Sequence, residues 1–330
     1  MTHETNARPS KNERRAQARE QARAAREQEK KREKRSRLFL QGGIVLGVIA
    51  ILGVVALILT QTMKPAGPGP ENMASGAVTF TKDLKVVETP ALQSGEERQA
   101  RDSDWEALPL DVEVYVDYMC PACGAFDQQY GTMLENYVGA GDVDLSIYPL
   151  NFLDGQSLGS KYSTRAGNLF ACVVEQQPDV AFDLHNRLLS ADVQPAEGTT
   201  GLTDDQLLEQ AEASGAELTT ELKQCVKETR FGGFVAANYK AASETGILGL
   251  AKGSQLLSSD GVTPQDADAP QRLVSTPTVI VNGVQWNQAR DGDLESYLLK
   301  VKGEIEQNAD DAGDASDSAD ADAADEPAAE

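Results

Sequence analysis

Metal-binding side chains are scarce in this chain. Of 330 residues four are cysteine and two are histidine, His3 and His185. Two residues separate Cys120 from Cys123, the spacing of half a structural zinc site, but such a site usually brings a second close-spaced Cys or His pair. Cys172 and Cys225 stand far from each other and from the first pair. Zinc is therefore the weaker reading, and no metal is expected. An inert staple between Cys120 and Cys123 is also weak, because so short a loop hardly restricts an unfolded chain.

Further absences divide the chain. Residues 11–37 hold almost nothing apolar, Leu38–Thr60 holds no charge, and Asp310–Glu330 holds neither a basic nor a large apolar residue. Residues 1–37 carry 13 Lys/Arg against 6 Asp/Glu, a net of +7, which leaves −29 for the rest of a chain whose total is −22. A basic arm of this kind could bind nucleic acid. This one runs straight into the apolar stretch, and the cytoplasmic flank of a membrane segment is the simpler role. As a helix, Leu38–Thr60 would be about 34 Å long, enough to cross a hydrocarbon core of about 30 Å. A cleaved signal peptide fits less well, since the basic region is long, the apolar core exceeds the usual length, and no cysteine follows that could be lipidated. The expected organisation is a basic cytoplasmic segment (1–37), a transmembrane signal anchor (38–60), a Pro/Gly linker (61–75), a globular domain (76–308) and an acidic disordered tail (309–330).

Within the globular part, Val78–Thr81 and Leu84–Val87 read as short strands, and Val112–Val116 as a third. Phe126, Tyr130, Met133, Leu134 and Tyr137 then recur at helical spacing, so Cys120–Val138 reads as a helix. Val143–Pro149 follows as a strand, and a strand–helix–strand of this length implies parallel pairing. From about 157 to 255 the pattern is helical, with one stripe at Tyr162, Ala166, Leu169 and Val173 and a capping-type start at Thr203. Strand character returns at Thr276–Val281; Asn282-Gly283 signals a tight hairpin to Val284–Trp286. Asp293–Ile305 closes as an amphipathic helix.

The cysteine pair thus falls at a strand-to-helix junction. Free N–H groups and the helix dipole there favour a thiolate at Cys120, and Pro121 is tolerated in the first turn. Cys123, one turn further on, is close enough to attack a mixed disulfide formed at Cys120. Dithiol–disulfide exchange is the favoured chemistry.

The motifs Val116-Asp117-Tyr118-Met119-Cys120-Pro121-Ala122-Cys123-Gly124-Ala125-Phe126 and Ser275-Thr276-Pro277-Thr278-Val279-Ile280-Val281-Asn282-Gly283 resemble those of DsbA-like thiol–disulfide oxidoreductases, most closely the membrane-anchored actinobacterial type. The resemblance implies an α/β thioredoxin-like fold with an inserted helical subdomain, preceded here by one transmembrane helix. It implies that Cys120 is the nucleophile and Cys123 its buried partner, and that Pro277 is a cis-proline. Thr276, before it, would face the cysteines and pair with a substrate strand. Cys172 and Cys225 look like the second, structural disulfide that some of these proteins carry in the helical insertion. Two positions depart from the pattern. Many relatives place an acid six residues before the first cysteine, where this chain has Val114. Glu113 and Asp117 flank it, but strand alternation would turn them to the opposite face. Ala122 stands where strongly oxidising relatives often have histidine, and offers the thiolate no charge.

The activity this implies is an extracytoplasmic, membrane-bound enzyme that introduces disulfide bonds into exported proteins with reduced cysteines. A quinone-linked membrane protein of the DsbB or VKOR type would reoxidise it, membrane lipid would surround its anchor, and no cofactor or nucleic acid would be needed. A membrane-anchored reductase or isomerase is the alternative within the same chemistry, and a non-catalytic anchored binding module the alternative outside it.

Overall fold

The computed structural model describes residues 67–98, 100–101 and 104–323. The basic segment, the apolar stretch Leu38–Thr60 and the first part of the linker lie outside them, as do residues 324–330. Among the described residues no helix is long and apolar enough to cross a membrane.

Among the described residues six strands form one sheet. They are β1 (Val78–Thr81), β2 (Lys85–Val86), β3 (Leu110–Val116), β4 (Val143–Pro149), β5 (Thr278–Val281) and β6 (Val284–Trp286). Their order is β2-β1-β4-β3-β5-β6, with β3 and β4 parallel and every other pair antiparallel. β3 starts at Leu110, two residues before the apolar run suggests, because Leu110 pairs with Val143. β5 starts at Thr278 rather than Thr276; Pro277 has no N–H for a ladder.

Helix α1 (Pro121–Ala140) crosses from β3 to β4. Pro121 occupies its first turn, and Gly141, at φ 82°, ends it, with the Gly141 and Asp142 N–H groups donating to Val138 and Tyr137 carbonyls at 2.9 Å. Its Tyr130, Leu134 and Val138 pack on Val112, Val114 and Val116 in the main core. On the other face of the sheet Tyr115, Tyr148 and Ile280 meet Ile247, Leu256 and Leu273 in a smaller core.

The insertion holds α2 (Tyr162–Gln176), α3 (Ala181–Leu189), α4 (Asp204–Ala213), α5 (Thr220–Lys227) and α6 (Gly232–Lys240). Thr203 and Gln206 form a reciprocal capping box, Gln206 N donating to Thr203 Oγ1 at 3.2 Å and Thr203 N to Gln206 Oε1 at 2.9 Å. A disulfide joins Cys172 on α2 to Cys225 on α5, both fully buried. The helices end at Lys240 with one wide turn to Thr245, short of the expected limit near 255. Beyond it Gly246, Gly249 and Gly253 all take positive φ, so the chain to Pro277 is irregular and tied by side chains such as Gln271, which accepts from Leu256 N at 2.8 Å.

The hairpin turn has φ 47° at Asn282 and 73° at Gly283, the two positive values a tight β5–β6 turn demands. A four-residue helix α7 (Gln288–Asp291) precedes α8 (Leu294–Ala323). α8 runs beyond the expected end at Ile305 and enters the stretch expected to be disordered. That stretch is rich in alanine, the strongest helix former, and lacks proline before Pro327. The end of the linker is also more ordered than its composition suggests: Gly69 is buried and donates to Leu92 O at 2.7 Å.

Candidate active site

Cys120 caps α1 from an extended conformation, φ −76° and ψ 115°. No acidic residue lies in the first turn of the helix, so nothing there opposes a negative charge at the cap. The pair is in its dithiol form. Cys120 is 7% exposed and Cys123 1%, while Pro121 and Ala122 between them are exposed. The Cys120 thiol donates to the Thr276 carbonyl at 3.3 Å, and the Thr276-Pro277 peptide is cis. The structure therefore brings Cys120, Cys123, Thr276 and Pro277 together, and keeps Cys172 and Cys225 in the insertion.

The two sulfurs differ electrostatically. A hydrogen bond from Cys123 lowers the Cys120 pKa to about 6 against the opposing effect of burial, with smaller help from Thr276 and the N–H groups of Cys123 and Ala122. Burial, and then the neighbouring Cys120, push Cys123 well above the ordinary thiol range. Near neutral pH the pair is a thiolate held by a thiol. The thiolate is the nucleophile, and a low-pKa sulfur is also the better leaving group.

Two supporting residues escape a reading of the sequence. Asp117 does not follow strand alternation, because β3 ends at Val116. Its fully buried carboxylate accepts from Met119 N, Leu153 N and Ser163 Oγ, all at 2.8 Å, and so ties the approach to Cys120 to the β4–α2 loop and to α2. Burial raises its pKa to about 7, with a further contribution from Cys120. Glu113 does turn to the opposite face, where Tyr115 Oη donates to it at 3.1 Å and burial raises it to about 8. Gln194, from the loop after α3, reaches over the start of α1. Its amide donates to Cys120 O at 2.9 Å. Gly124 makes this approach possible, since a Cβ there would run into the Gln194 amide.

A cavity of about 120 Å³ beside Pro277 is lined by Ser275, Val279 and Trp286 among others. A groove of about 640 Å³, lined by residues such as Glu71, Lys85 and Asp179, shares none with the dithiol. Neither lining includes a cysteine; sulfur exchange needs an approachable edge, not a deep pocket, and the Thr276-Pro277 segment beside Cys120 offers one. Among the described residues no group of three or more His, Cys, Asp or Glu is placed to hold a metal.

A parallel β3–α1–β4 unit with two cysteines at the start of α1, faced by a cis-proline at the entry to an antiparallel β5–β6 hairpin, is a thioredoxin-like α/β fold with a helical insertion. Residues 105–249 match a family model described as Thioredoxin. Among curated proteins the chain is similar to the serine/threonine-protein kinase PknE of Mycobacterium tuberculosis, 32% identical over 139 residues, which are 42% of this chain and 24% of that one. The chain thus spans about a quarter of the length of the curated relatives it matches. Among solved structures it is similar to reduced DsbA of Mycobacterium tuberculosis, with 22% identity over 68% of this chain and 99% of that one, TM-score 0.44. It is also similar to MdbA, a thiol-disulfide oxidoreductase from Corynebacterium diphtheriae, with 18% identity over 72% of this chain and 96% of that one, TM-score 0.44.

Proposed function

We propose that this domain exchanges disulfides with protein thiols through Cys120 and Cys123, and that its net task is to oxidise exported proteins. A substrate thiolate attacks Cys120 in the disulfide form; the Cys120–Cys123 bond breaks and Cys123 leaves with the electron pair and takes up a proton. A second substrate thiolate then attacks the substrate sulfur of the mixed disulfide and expels Cys120 as thiolate. The substrate loses two electrons and the dithiol holds them. A quinone-linked membrane partner of the DsbB or VKOR type would remove them, and Leu38–Thr60 would anchor the domain outside the cytoplasm in membrane lipid.

One observation carries this reading: Cys120 caps α1 beside the Thr276 carbonyl while Cys123 lies 1% exposed behind it, an asymmetry that puts the thiolate on Cys120. It stabilises the reduced pair, which is what makes an oxidant, and it lets Cys120 leave readily. The edge at Thr276 supports it, because a backbone beside the sulfur can pair with an extended substrate. Ala122 favours the alternative, a reductase or isomerase, since it adds no charge to hold the thiolate. The reduction potential decides between them. A value near about −120 mV fits an oxidase and one near about −270 mV a reductase. Refolding of a reduced, disulfide-containing protein should depend on Cys120, and its persistence in Cys120→Ala would refute the exchange chemistry. Protease added to spheroplasts should digest the domain and spare the basic segment; a protected domain would refute the topology.

A further inference from the structure

On the face of the sheet away from α1, a cavity of about 360 Å³ opens beside the smaller core. That size falls within the range of small-molecule sites. Its lining includes Arg98, Tyr115, Tyr148, Ala241, Ala242 and Ile247, and none of Cys120, Cys123, Thr276 or Pro277. Tyr115 and Tyr148 are paired neighbours on β3 and β4, and their rings stack at 4.2 Å and 6°. Ala241 and Ala242 come from the wide turn after α6, which Gly246 N closes by donating to Ala241 O at 2.9 Å. Such i→i+5 turns are rare and recur at functional sites. Their methyl side chains leave the space beside the tyrosines open.

One charge in this cavity lacks a counter-ion. Arg101 is held between Asp111 at 3.0 Å and Asp144 at 3.3 Å. Arg98, three residues earlier, has no carboxylate within ion-pair distance among the described residues. Its Nη2 donates to Phe234 O at 3.3 Å, and its guanidinium lies 5.4 Å from the Phe234 ring centre. Its Nε is buried without a hydrogen-bond partner. Burial works against its charge. A half-buried cation without a counter-ion attracts an anion, and a guanidinium matches a carboxylate through two parallel hydrogen bonds. Glu96 and Glu97 also line the cavity, and both are exposed. Glu96 accepts from Gln93 N at 2.8 Å and so turns back on its own loop. With these two carboxylates at the rim, a ligand bearing one negative charge is favoured over one bearing two.

We propose that this cavity binds an apolar monocarboxylate, whose carboxylate pairs with Arg98 and whose body lies between the tyrosine pair and Ala242 and Ile247. The tyrosine rings and the aliphatic wall exclude water from the body, and Arg98 fixes its orientation. The site shares no residue with the dithiol, so it does not depend on the exchange reading.

Hydrocinnamate is the probe, titrated by calorimetry into the full chain in lipid nanodiscs, with empty discs as the blank. It should bind saturably. Hydrocinnamyl alcohol, its uncharged analogue, should bind about ten- to a hundredfold more weakly, the effect of one hydrogen bond to a charged group. Arg98→Gln should weaken the acid by about the same factor and leave the alcohol unchanged. Arg98→Lys, which keeps the charge without the fork, should lose less. Dianionic phenyl phosphate should bind more weakly than hydrocinnamate. Ala242→Trp, which fills the cavity, should bind neither acid nor alcohol. The proposal is overturned by any one of four results: no saturable binding, equal affinity for acid and alcohol, tighter binding of the phosphate, or undiminished binding in Arg98→Gln or Ala242→Trp. Should the variants not fold, the comparison of acid with alcohol in the unaltered protein still decides.

Discussion

The hydrogen bond from Cys123 is the largest influence lowering the Cys120 pKa, and removing it is a direct trial of the site. At a pKa of about 6, Cys120 is roughly 90% thiolate at pH 7, whereas an ordinary thiol near 8.5 is a few per cent ionised. A hydrogen bond to a charged group contributes about 1.5–3 kcal/mol, and one pKa unit is about 1.36 kcal/mol. Cys123→Ala should therefore move the Cys120 inflection up by about one to two units, to roughly 7–8. The measurement is the pH dependence of iodoacetamide alkylation, supported by thiolate absorbance near 240 nm. The sign of the linked stability follows. Cys120 has a folded pKa depressed from its usual 9, so the reduced form gains stability that is complete above about pH 9 and lost as pH falls through about 6. At pH 7 the gain is about 1.4 kcal/mol, equivalent to about 30 mV in a two-electron potential. An inflection that stays near 6 in Cys123→Ala would give the thiolate to the helix N-terminus instead. An inflection near 9 in the unaltered protein would refute the activated cysteine altogether.

Other consequences can be measured separately. Glu113, raised to about 8 by burial, binds a proton in the folded chain that the unfolded chain releases near 4.5; stability should fall as pH rises from about 4.5 to about 8, by up to about 5 kcal/mol, and urea melts of Glu113→Gln should lack most of that slope. The Cys172–Cys225 bond spans a sequence separation of 53, so replacing both by Ser should lower stability by about 4 kcal/mol on the chain-entropy account while leaving the potential of Cys120–Cys123 nearly unchanged; an unaltered melting temperature contradicts this. Gln194→Ala removes the bond to Cys120 O at 2.9 Å and should cost about 1 kcal/mol in thermal melts, and no change would leave Gln194 without a structural role.

What the sequence makes legible is the geometry that local pattern dictates. Two cysteines before a helical stripe locate the cap of α1, Asn282-Gly283 locates the β5–β6 turn, and Thr203 locates the start of α4. What it hides depends on contacts between distant segments. Alternation along β3 turns Glu113 away from the dithiol correctly, but it has no force at Asp117, one residue beyond the strand, where the backbone turns and the carboxylate meets Leu153 and Ser163. Gln194 lies 74 residues from the carbonyl it holds, and only the glycine at 124 hints that something must approach there. Composition says less at both ends of the domain: Gly69, in the expected linker, is buried, and α8 continues past Ile305 into the stretch 309–330 expected to be disordered, as far as Ala323.

The same contrast bears on how the site came to lack an acid at Val114. Val114 belongs to the face of β3 that packs under α1 with Val112 and Val116, so a carboxylate there would stand in the main core and need a compensating partner. In this chain the buried acids lie elsewhere: Glu113 on the far face with Tyr115, Asp117 at the strand end under three donors, and Asp127 on α1 facing His185. Apolar packing under α1 is thereby preserved. Asp117 joins the approach to Cys120 to the helical insertion, since Ser163 on α2 donates to its carboxylate at 2.8 Å.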